Sequence, residues 1–448
     1  MERTARTSWQ ERLAALDHAA RALAPSRAFL AYSSSRMERD AASGLGDVPR
    51  PLEGLAVSVK DLMDVAGWPT TSGGRPSGMP EPVAARDAAL VSLWRAAGAW
   101  MVGKTHLNEH AYGLTGENPW WGHCTMPGDA GRLTGGSSSG AAATVLGGAA
   151  DVGLGTDTGG SLRVPASLCG LASIRAPGWF RCHDGVRPLA RSFDTLGWIG
   201  RDVLELERVA ERLLPGQDVR FARPRIVVID GPLLDACDAD VRETWSGLKG
   251  ALGAAGVEFE AQDIPWLAEA PALFAPLQAR EAWGVHRGRL ELDPGSYGAA
   301  VRQRLEWGRS LGMGDERSLR RGVVAFRRRM AKWLGSGCVL AVPACAVTRL
   351  DAGADHGPVR GRILSLTTPA SVAGLPVVTQ ACPWAKPGRP LGIQWVGAAG
   401  SEWMLVRWAA SLARSWKRVG MAQIGHNATA GCATAGLGLS QHVGSWDG

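Results

Sequence analysis

Three polar stretches of the chain combine residue types that could do chemistry. The first, "VSVKDLMDVAG", has Lys60 directly after a short apolar run, and the second is the glycine and serine run "LTGGSSSGAAATVLGG" at 133–148. The third, "GTDTGGSLR" at 155–163, contains glycines, hydroxyl groups and two opposite charges. A stretch of this kind could bind a phosphate, form a tight structural turn or present a nucleophile.

The spacing of these stretches argues against phosphate binding. "GGSSSG" lacks the G-x-x-x-x-G-K-[ST] spacing of a P-loop, and no helix-borne lysine follows "GTDTGGS". Neither stretch matches the G-x-G-x-x-G dinucleotide fingerprint. For an isolated "GGS", a plain glycine turn with a capping serine is the favoured interpretation.

Acyl transfer is the chemical alternative. Successive backbone N–H groups in a glycine turn can converge on one point and stabilise a developing oxyanion, and glycines allow that close approach. A serine at the end of the turn would then attack. The donors expected for such an oxyanion hole are the N–H groups of Thr158, Gly159, Gly160 and Ser161.

The base that would activate Ser161 is not evident from local spacing. Four histidines lie within the same part of the chain, but none belongs to a G-x-S-x-G nucleophile motif: His106, His110, His123 and His183. Lys60 is the other candidate, because burial can lower the pKa of a lysine by several units and leave it neutral near pH 7. A second serine could relay the proton between them.

In order and spacing, the three stretches resemble the amidase signature family. The resemblance covers about residues 51–415, and Ser137 and Ser161 lie 24 residues apart, as in the family pattern. It implies a Ser-cisSer-Lys triad with Lys60 as terminal base, Ser137 as bridging serine after a cis peptide bond from Gly136, and Ser161 as acylated nucleophile. The three side chains are expected to form one hydrogen-bonded line.

Other residues of the motifs are expected to support the site. Asp157 and Arg163 are expected to hold the loops through buried hydrogen bonds rather than to act in catalysis directly, and the resemblance makes Ser138 a neighbour of the triad. The sequence departs from the family pattern at Ala141, where serine is common, and at Arg175, where lysine is common.

The resemblance implies an amidase that acts on a small aryl or alkyl primary amide, without cofactor or metal. Within the family, the chain looks most like indole-3-acetamide hydrolases, and Trp120 and Trp121 are candidates for an aromatic pocket. Two alternatives remain: the glutaminase subunit of a tRNA-dependent amidotransferase, and a non-catalytic binding protein on an amidase scaffold. A homodimer is left open.

The elements that would position these residues follow an α/β pattern. Alternating strands and helices predict a large mixed, mostly parallel β-sheet covered by helices on both faces. "THLNEHAYG" is expected to be a helix. The expected strands include "GLAVSVKD", "AWMVGK", "RIVVID", "GCVLAVPACA" and "LGIQWVG".

Composition sets the remaining expectations. The 448 residues are assigned to an N-terminal helical segment (1–50), one domain (51–420) with a helical layer around 233–332, and an irregular tail (421–448). The net charge of +7 is spread along the chain, and its densest run, at 316–332, fits a solvated helix face, so no nucleic acid partner is expected. Eight cysteines without metal-like spacing and the lack of a long apolar run predict a cytoplasmic protein with no membrane contact.

Overall fold

A computed structural model describes residues 2–43, 50–76, 82–179, 183–213, 224–335 and 337–421. Its centre is an 11-stranded β-sheet, and a separate two-stranded hairpin lies beside it. The strands are β1 (Phe29–Tyr32), β2 (Ala56–Lys60), β3 (Trp100–Thr105), β4 (Thr125–Met126), β5 (Asp129–Leu133), β6 (Val152–Thr156), β7 (Ala172–Arg175), β8 (Leu196–Gly200), β9 (Arg225–Ile229), β10 (Phe259–Gln262), β11 (Cys338–Pro343), β12 (Val377–Ala381) and β13 (Gly392–Val396).

The order of the large sheet is β1-β3-β2-β6-β8-β7-β12-β13-β11-β9-β10. The predicted α/β class and the large mixed sheet are confirmed. Parallel pairing is less frequent than predicted, because six of the ten neighbouring pairs are antiparallel. One of these pairs shows a physical reason: β12 and β13 are joined by a loop without a crossover helix, so the chain returns antiparallel.

Both faces of the sheet are covered. On β8, Trp198 belongs to the main hydrophobic core, whereas its neighbour Ile199 packs in a second core with Ala141 and Val145 of a short helix. The helices are α1 (Glu2–Ala22), α2 (Ser34–Ser43), α3 (Ala89–Ala96), α4 (Ser139–Leu146), α5 (Arg163–Cys169), α6 (Val203–Leu213), α7 (Ala239–Ala254), α8 (Ala270–Leu292), α9 (Ala299–Ser310), α10 (Met313–Leu334), α11 (Gly357–Ala373) and α12 (Glu402–Arg418).

The candidate site lies at the carboxyl ends of two central parallel strands. Strands β2 and β6 pair in parallel, and every residue of both strands is buried. Lys60 ends β2 and Thr156 ends β6, so the two residues come to the same edge of the sheet. Ligand sites in α/β proteins form at this edge, because the loops that leave the strands meet there.

Two local predictions were wrong. The stretch "THLNEHAYG" contains only a short 3-10 turn, Glu109–Ala111, since Thr105 still belongs to β3 and His110 has a left-handed φ of 48°. The segment 1–50 is not only helical, because β1 pairs antiparallel with β3 and closes one edge of the sheet.

The expected helical layer and the expected tail can be compared with the described residues. Residues 233–332 are largely helical, with β10 the exception. The tail assigned to 421–448 lies outside the described residues after Met421.

The six cysteines within the described ranges are buried and free, while Cys182 and Cys432 lie outside them. Within these ranges, none of the helices has the length and apolar character needed to cross a membrane.

Candidate active site

Lys60 lies at the centre of a buried cluster of hydroxyl groups. Its Nζ is 2.8 Å from Ser137 Oγ, 3.0 Å from Ser138 Oγ and 2.9 Å from Thr156 Oγ1. Burial lowers the pKa of Lys60 to about 7, and the negative charges of Asp157 and Asp194 only partly oppose this. A substantial fraction of Lys60 is therefore neutral near pH 7 and can accept a proton.

The second serine enters the site through a cis peptide bond. The bond between Gly136 and Ser137 is cis, as the family resemblance implies. Glycine is required at position 136, because a Cβ there would lie 2.0 Å from Asn108 Oδ1. The next residue, Ser138, donates its backbone N–H to the carbonyl oxygen of Ser161 at 3.1 Å. This bond ties the two serine-bearing loops together beside Lys60.

Ser161 lies in the loop between β6 and α5 and lines a small cavity. It is 2% exposed, so its hydroxyl is nearly enclosed. The predicted line of three hydrogen-bonded side chains is only half formed: within the described residues, the Ser161 hydroxyl makes no hydrogen bond to Ser137. Catalytic hydrogen bonds often tighten only when substrate is bound.

The backbone beside Ser161 offers three of the four expected oxyanion donors. Gly160 must be removed from that set, because its N–H donates to Asp157 Oδ1 at 2.9 Å. Across the described residues, the N–H groups of Thr158, Gly159 and Ser161 have no hydrogen-bond partner. Gly159 also leaves no room for a side chain, since a Cβ would lie 2.6 Å from Phe274 Cζ.

Asp157 holds the loop by an ion pair network rather than by facing the cavity. It is fully buried and accepts from the Arg163 guanidinium at 2.8 Å and 3.0 Å, and from Arg175 at 3.3 Å. Burial by itself would raise the pKa of Asp157, but the charges and hydrogen bonds of Arg163 and the charge of Arg175 lower it well below its usual value. Asp157 is therefore ionised, and its second oxygen also accepts from Leu162 N.

Arg163 extends this network to other elements. Its Nη1 donates to the Thr367 carbonyl on α11 and to Gln394 Oε1 on β13, both at 2.7 Å. Its Nη2 donates to Ser371 Oγ at 2.8 Å. The turn that bears Ser161 is thus connected to a helix and a strand more than 200 positions further along the chain.

The two tryptophans proposed for the pocket are not at the cavity of Ser161. Trp120 donates its indole N–H to Glu109 and Trp121 donates to the Gly74 carbonyl, each at 2.8 Å, and neither lines that cavity. The aromatic residues that do line it are Tyr112 and Phe274. Their positions depend on the loop after β3 and on α8, which no local motif connects with Ser161.

Sequence reasoning missed three further residues of the site. Thr156 bonds Lys60 through its hydroxyl, Arg175 is the second cation on Asp157, and Asp194 accepts from Thr158 Oγ1 at 2.6 Å. Thr156 lies next to the first glycine of the stretch "GTDTGGSLR", so its position in a candidate motif could have identified it as a site residue. Asp194 lies in a separate stretch at 191–202, "RSFDTLGWIGRD", and no spacing in the sequence assigns it to the loop that bears Ser161.

Comparisons with known proteins agree with this geometry. A family model described as Amidase matches residues 10–406. The chain is 31% identical over 439 residues to a glutamyl-tRNA(Gln) amidotransferase subunit from Anaeromyxobacter sp. (strain K), across 86% of this chain and 88% of the relative. It is 42% identical to Amidase 1 of Oryza sativa subsp. japonica, but over 179 residues only, which are 40% of this chain and 41% of that relative.

A solved structure described as a crystal structure of amidase is also similar. It superposes with a TM-score of 0.83 at 29% sequence identity, covering 92% of this chain and 97% of that chain. The similarity therefore extends over most of the chain, not only over the motifs near Ser161.

Proposed function

This chain belongs to the amidase family, and from that membership we propose that it hydrolyses a small carboxylic acid amide to the carboxylate and ammonia through a seryl acyl-enzyme. Enzymes of this family cleave amide C–N bonds. The observation that carries the proposal is the buried Lys60, whose Nζ is 2.8 Å from Ser137 Oγ in a loop joined to Ser161.

The first step is removal of the Ser161 proton. Ser138 donates its hydroxyl proton to the Thr156 carbonyl at 3.2 Å, so its oxygen accepts from Lys60. This orients a neutral Lys60 amine so that its lone pair can face Ser137. Ser137 then gives its proton to Lys60 and takes one from Ser161, which attacks the amide carbon.

The attack moves an electron pair onto the amide oxygen. The backbone N–H groups of Thr158, Gly159 and Ser161 are the donors proposed for that oxyanion, because they have no other partner in the described part of the chain. Collapse of the tetrahedral intermediate breaks the C–N bond, and the proton held by Lys60 returns through Ser137 to the departing ammonia. Water repeats the route on the acyl-enzyme and releases the carboxylate and free Ser161.

The substrate class proposed from the sequence is a small aryl or alkyl primary amide. The cavity beside Ser161 favours a small acyl group, because the side chains around it leave little free space. Phe274, Leu114 and Leu364 give it apolar walls.

Ammonia release from a panel of arylacetamides and short aliphatic amides tests the proposal. The wild type should release ammonia, whereas Lys60→Ala and Ser161→Ala should each lower kcat/KM by about 1,000-fold or more, since both act on one proton path. A fluorophosphonate probe should label Ser161 in the wild type. No activity above Ser161→Ala on the whole panel, together with no labelling, would favour a non-catalytic binding protein.

A second candidate is the glutaminase subunit of an amidotransferase. The observation that favours it is the amidotransferase relative, which matches 86% of this chain. Affinity purification from the native cells tests it. A stable stoichiometric partner and ammonia release from glutamine only in its presence would put this candidate first.

A further inference from the structure

The cavity at Ser161 is bordered by a cation that has no acidic partner. Arg360 lies in the first turns of α11 and lines the same cavity as Ser161. Among the described residues, the one hydrogen bond that its side chain makes is a long one, 3.5 Å, to the neutral Gln278 Oε1. Arg360 makes no ion pair with any carboxylate in that part of the chain.

A second arginine adds to the positive charge beside this cavity. Arg304 on α9 donates to the Tyr112 carbonyl and lies over the Tyr112 ring, 5.4 Å from its centroid. No ion pair neutralises Arg304 in the described part of the chain either. Burial and, to a smaller extent, the charge of Arg304 lower the pKa of Arg360 to about 10, so Arg360 remains a cation at neutral pH.

Helix α11 adds to the electrostatic cost of the Arg360 charge. The amino end of α11 carries partial positive charge, and its first turn contains no acidic residue. Arg360 therefore meets the positive helix end and Arg304 without a compensating anion. Buried and partly buried charges are usually paired, so an unpaired arginine at a nucleophile's cavity points to a ligand that supplies the partner.

The other walls limit what that ligand can be. No aspartate or glutamate is among the described residues that line the cavity, and Leu114, Leu364 and Phe274 are apolar. The cavity suits a short hydrocarbon chain with an anionic end. It does not suit an ammonium group, which would lie beside Arg360 without an acidic partner.

We propose that the substrate is a short monoamide of a dicarboxylic acid, whose carboxylate binds Arg360 while its amide carbon lies at Ser161. The inference rests on the proposed amidase function and narrows its substrate class. Arginine is suited to this task because its planar guanidinium can hold a carboxylate with two hydrogen bonds. The methylene chain packs against the apolar walls.

Paired amides that differ only in charge test this assignment. The monoamides malonamate, succinamate and glutaramate are each compared with the neutral diamide of the same length, using ammonia release. The wild type should have a higher kcat/KM for at least one monoamide than for its diamide. In Arg360→Gln that ratio should fall by about 10- to 100-fold, as expected for a lost charged hydrogen bond, and Arg360→Lys should restore part of it.

Two controls make the result specific. Arg317→Gln removes an exposed arginine on α10 and should leave the ratio as in the wild type. Glutamine has the same chain as glutaramate with an added ammonium group, so it should react more slowly than glutaramate. Equal ratios in the wild type and Arg360→Gln, or a preference for glutamine over glutaramate, overturn the inference.

Binding of a dicarboxylate separates failure of this inference from failure of the proposed function. Succinate binding is measured by calorimetry on the wild type, Arg360→Gln and Arg360→Lys, with thermal unfolding as a check of folding. Loss of binding in a folded Arg360→Gln supports the anion site even if no amide is hydrolysed. Unchanged binding in Arg360→Gln rejects the site even if neutral amides are good substrates.

Discussion

At the scale of single residues, the state of Lys60 controls what the site can do. Its ordinary pKa would leave it almost fully protonated at pH 7, where it could not accept a proton. Burial lowers this pKa to about 7. Activity should therefore rise as pH increases through this value, because the neutral amine is the active form. Thr156, which sequence reasoning missed, accepts a hydrogen bond from Lys60 Nζ.

Thr156→Val tests whether this hydrogen bond contributes to the pKa of Lys60. The Thr156 hydroxyl accepts from Nζ at 2.9 Å and stabilises the ammonium form, so its loss should lower the pKa of Lys60. We expect the inflection of kcat/KM against pH, near 7 in the wild type, to move to lower pH by roughly 0.5 to 1 unit, from about 1 kcal/mol per hydrogen bond. Thr379→Val, a buried change on β12, should leave it in place. An unmoved or raised inflection in Thr156→Val contradicts the prediction.

At the scale of elements, α4 must approach the strands very closely. Gly140 in its first turn faces backbone directly, since a Cβ would lie 2.1 Å from the Ala28 carbonyl oxygen and 2.5 Å from His106 N. Neither atom can move independently, because each belongs to a backbone segment bonded to its neighbours. The close approach holds the start of α4, and with it Ser137, beside Lys60.

Gly140→Ala should therefore destabilise the protein by about 1 to 3 kcal/mol or more, as expected for overpacking against rigid backbone. Its activity should fall as well, because Ser137 precedes the displaced turn. Gly250→Ala on α7 is the matched control, with no atom within 4 Å of its Cβ. That change should stabilise by about 0.5 to 1 kcal/mol through helix propensity. Thermal unfolding and ammonia release measure both, and equal effects at the two positions would falsify the packing argument.

At the scale of the whole molecule, the Asp157 network connects parts of the chain far apart in sequence. Arg163 joins the loop that bears Ser161 to α11 and β13, and Arg175 contributes from β7. The resulting set of charges is fully enclosed, with side-chain exposures of 0% for Asp157 and Arg163 and 1% for Arg175. Removing one member leaves the others buried without compensation.

Asp157→Asn should lower the free energy of unfolding by about 3 to 5 kcal/mol at pH 7. Asp230→Asn, which removes a half-exposed pair with Lys249, should cost about 1 kcal/mol or less. Because the native pKa of Asp157 is lowered, its contribution is fully present above its unfolded pKa of about 3.9 and is lost as pH falls toward the native value. Urea unfolding between pH 8 and pH 3 should show a constant difference from the wild type that shrinks below about pH 4. A difference near zero at pH 7 would show that the network is not stabilising.

The sequence by itself predicted which residues could do chemistry, and it determined the class of the fold. The turn at 155–163 was evident because close backbone approach beside a hydroxyl group requires particular residue types at short spacing, whereas Lys60 and Ser137 were assigned through the family resemblance. Strands such as β2, β9 and β13 were evident from their apolar runs. These signals are local, and local signals can be read without knowing which distant segments pack together.

Only the tertiary structure decided what surrounds that chemistry. Tyr112 and Phe274 line the cavity, and not the expected Trp120 and Trp121, because of contacts between segments far apart in sequence. The Gly160 N–H donates to Asp157 because of the orientation of one peptide group. The lack of an acidic partner for Arg360 could also be seen only in the tertiary structure, because it depends on which residues pack around the guanidinium. Residue types show what a side chain can do, whereas burial and neighbours set its charge state, its partners and the ligand it can bind.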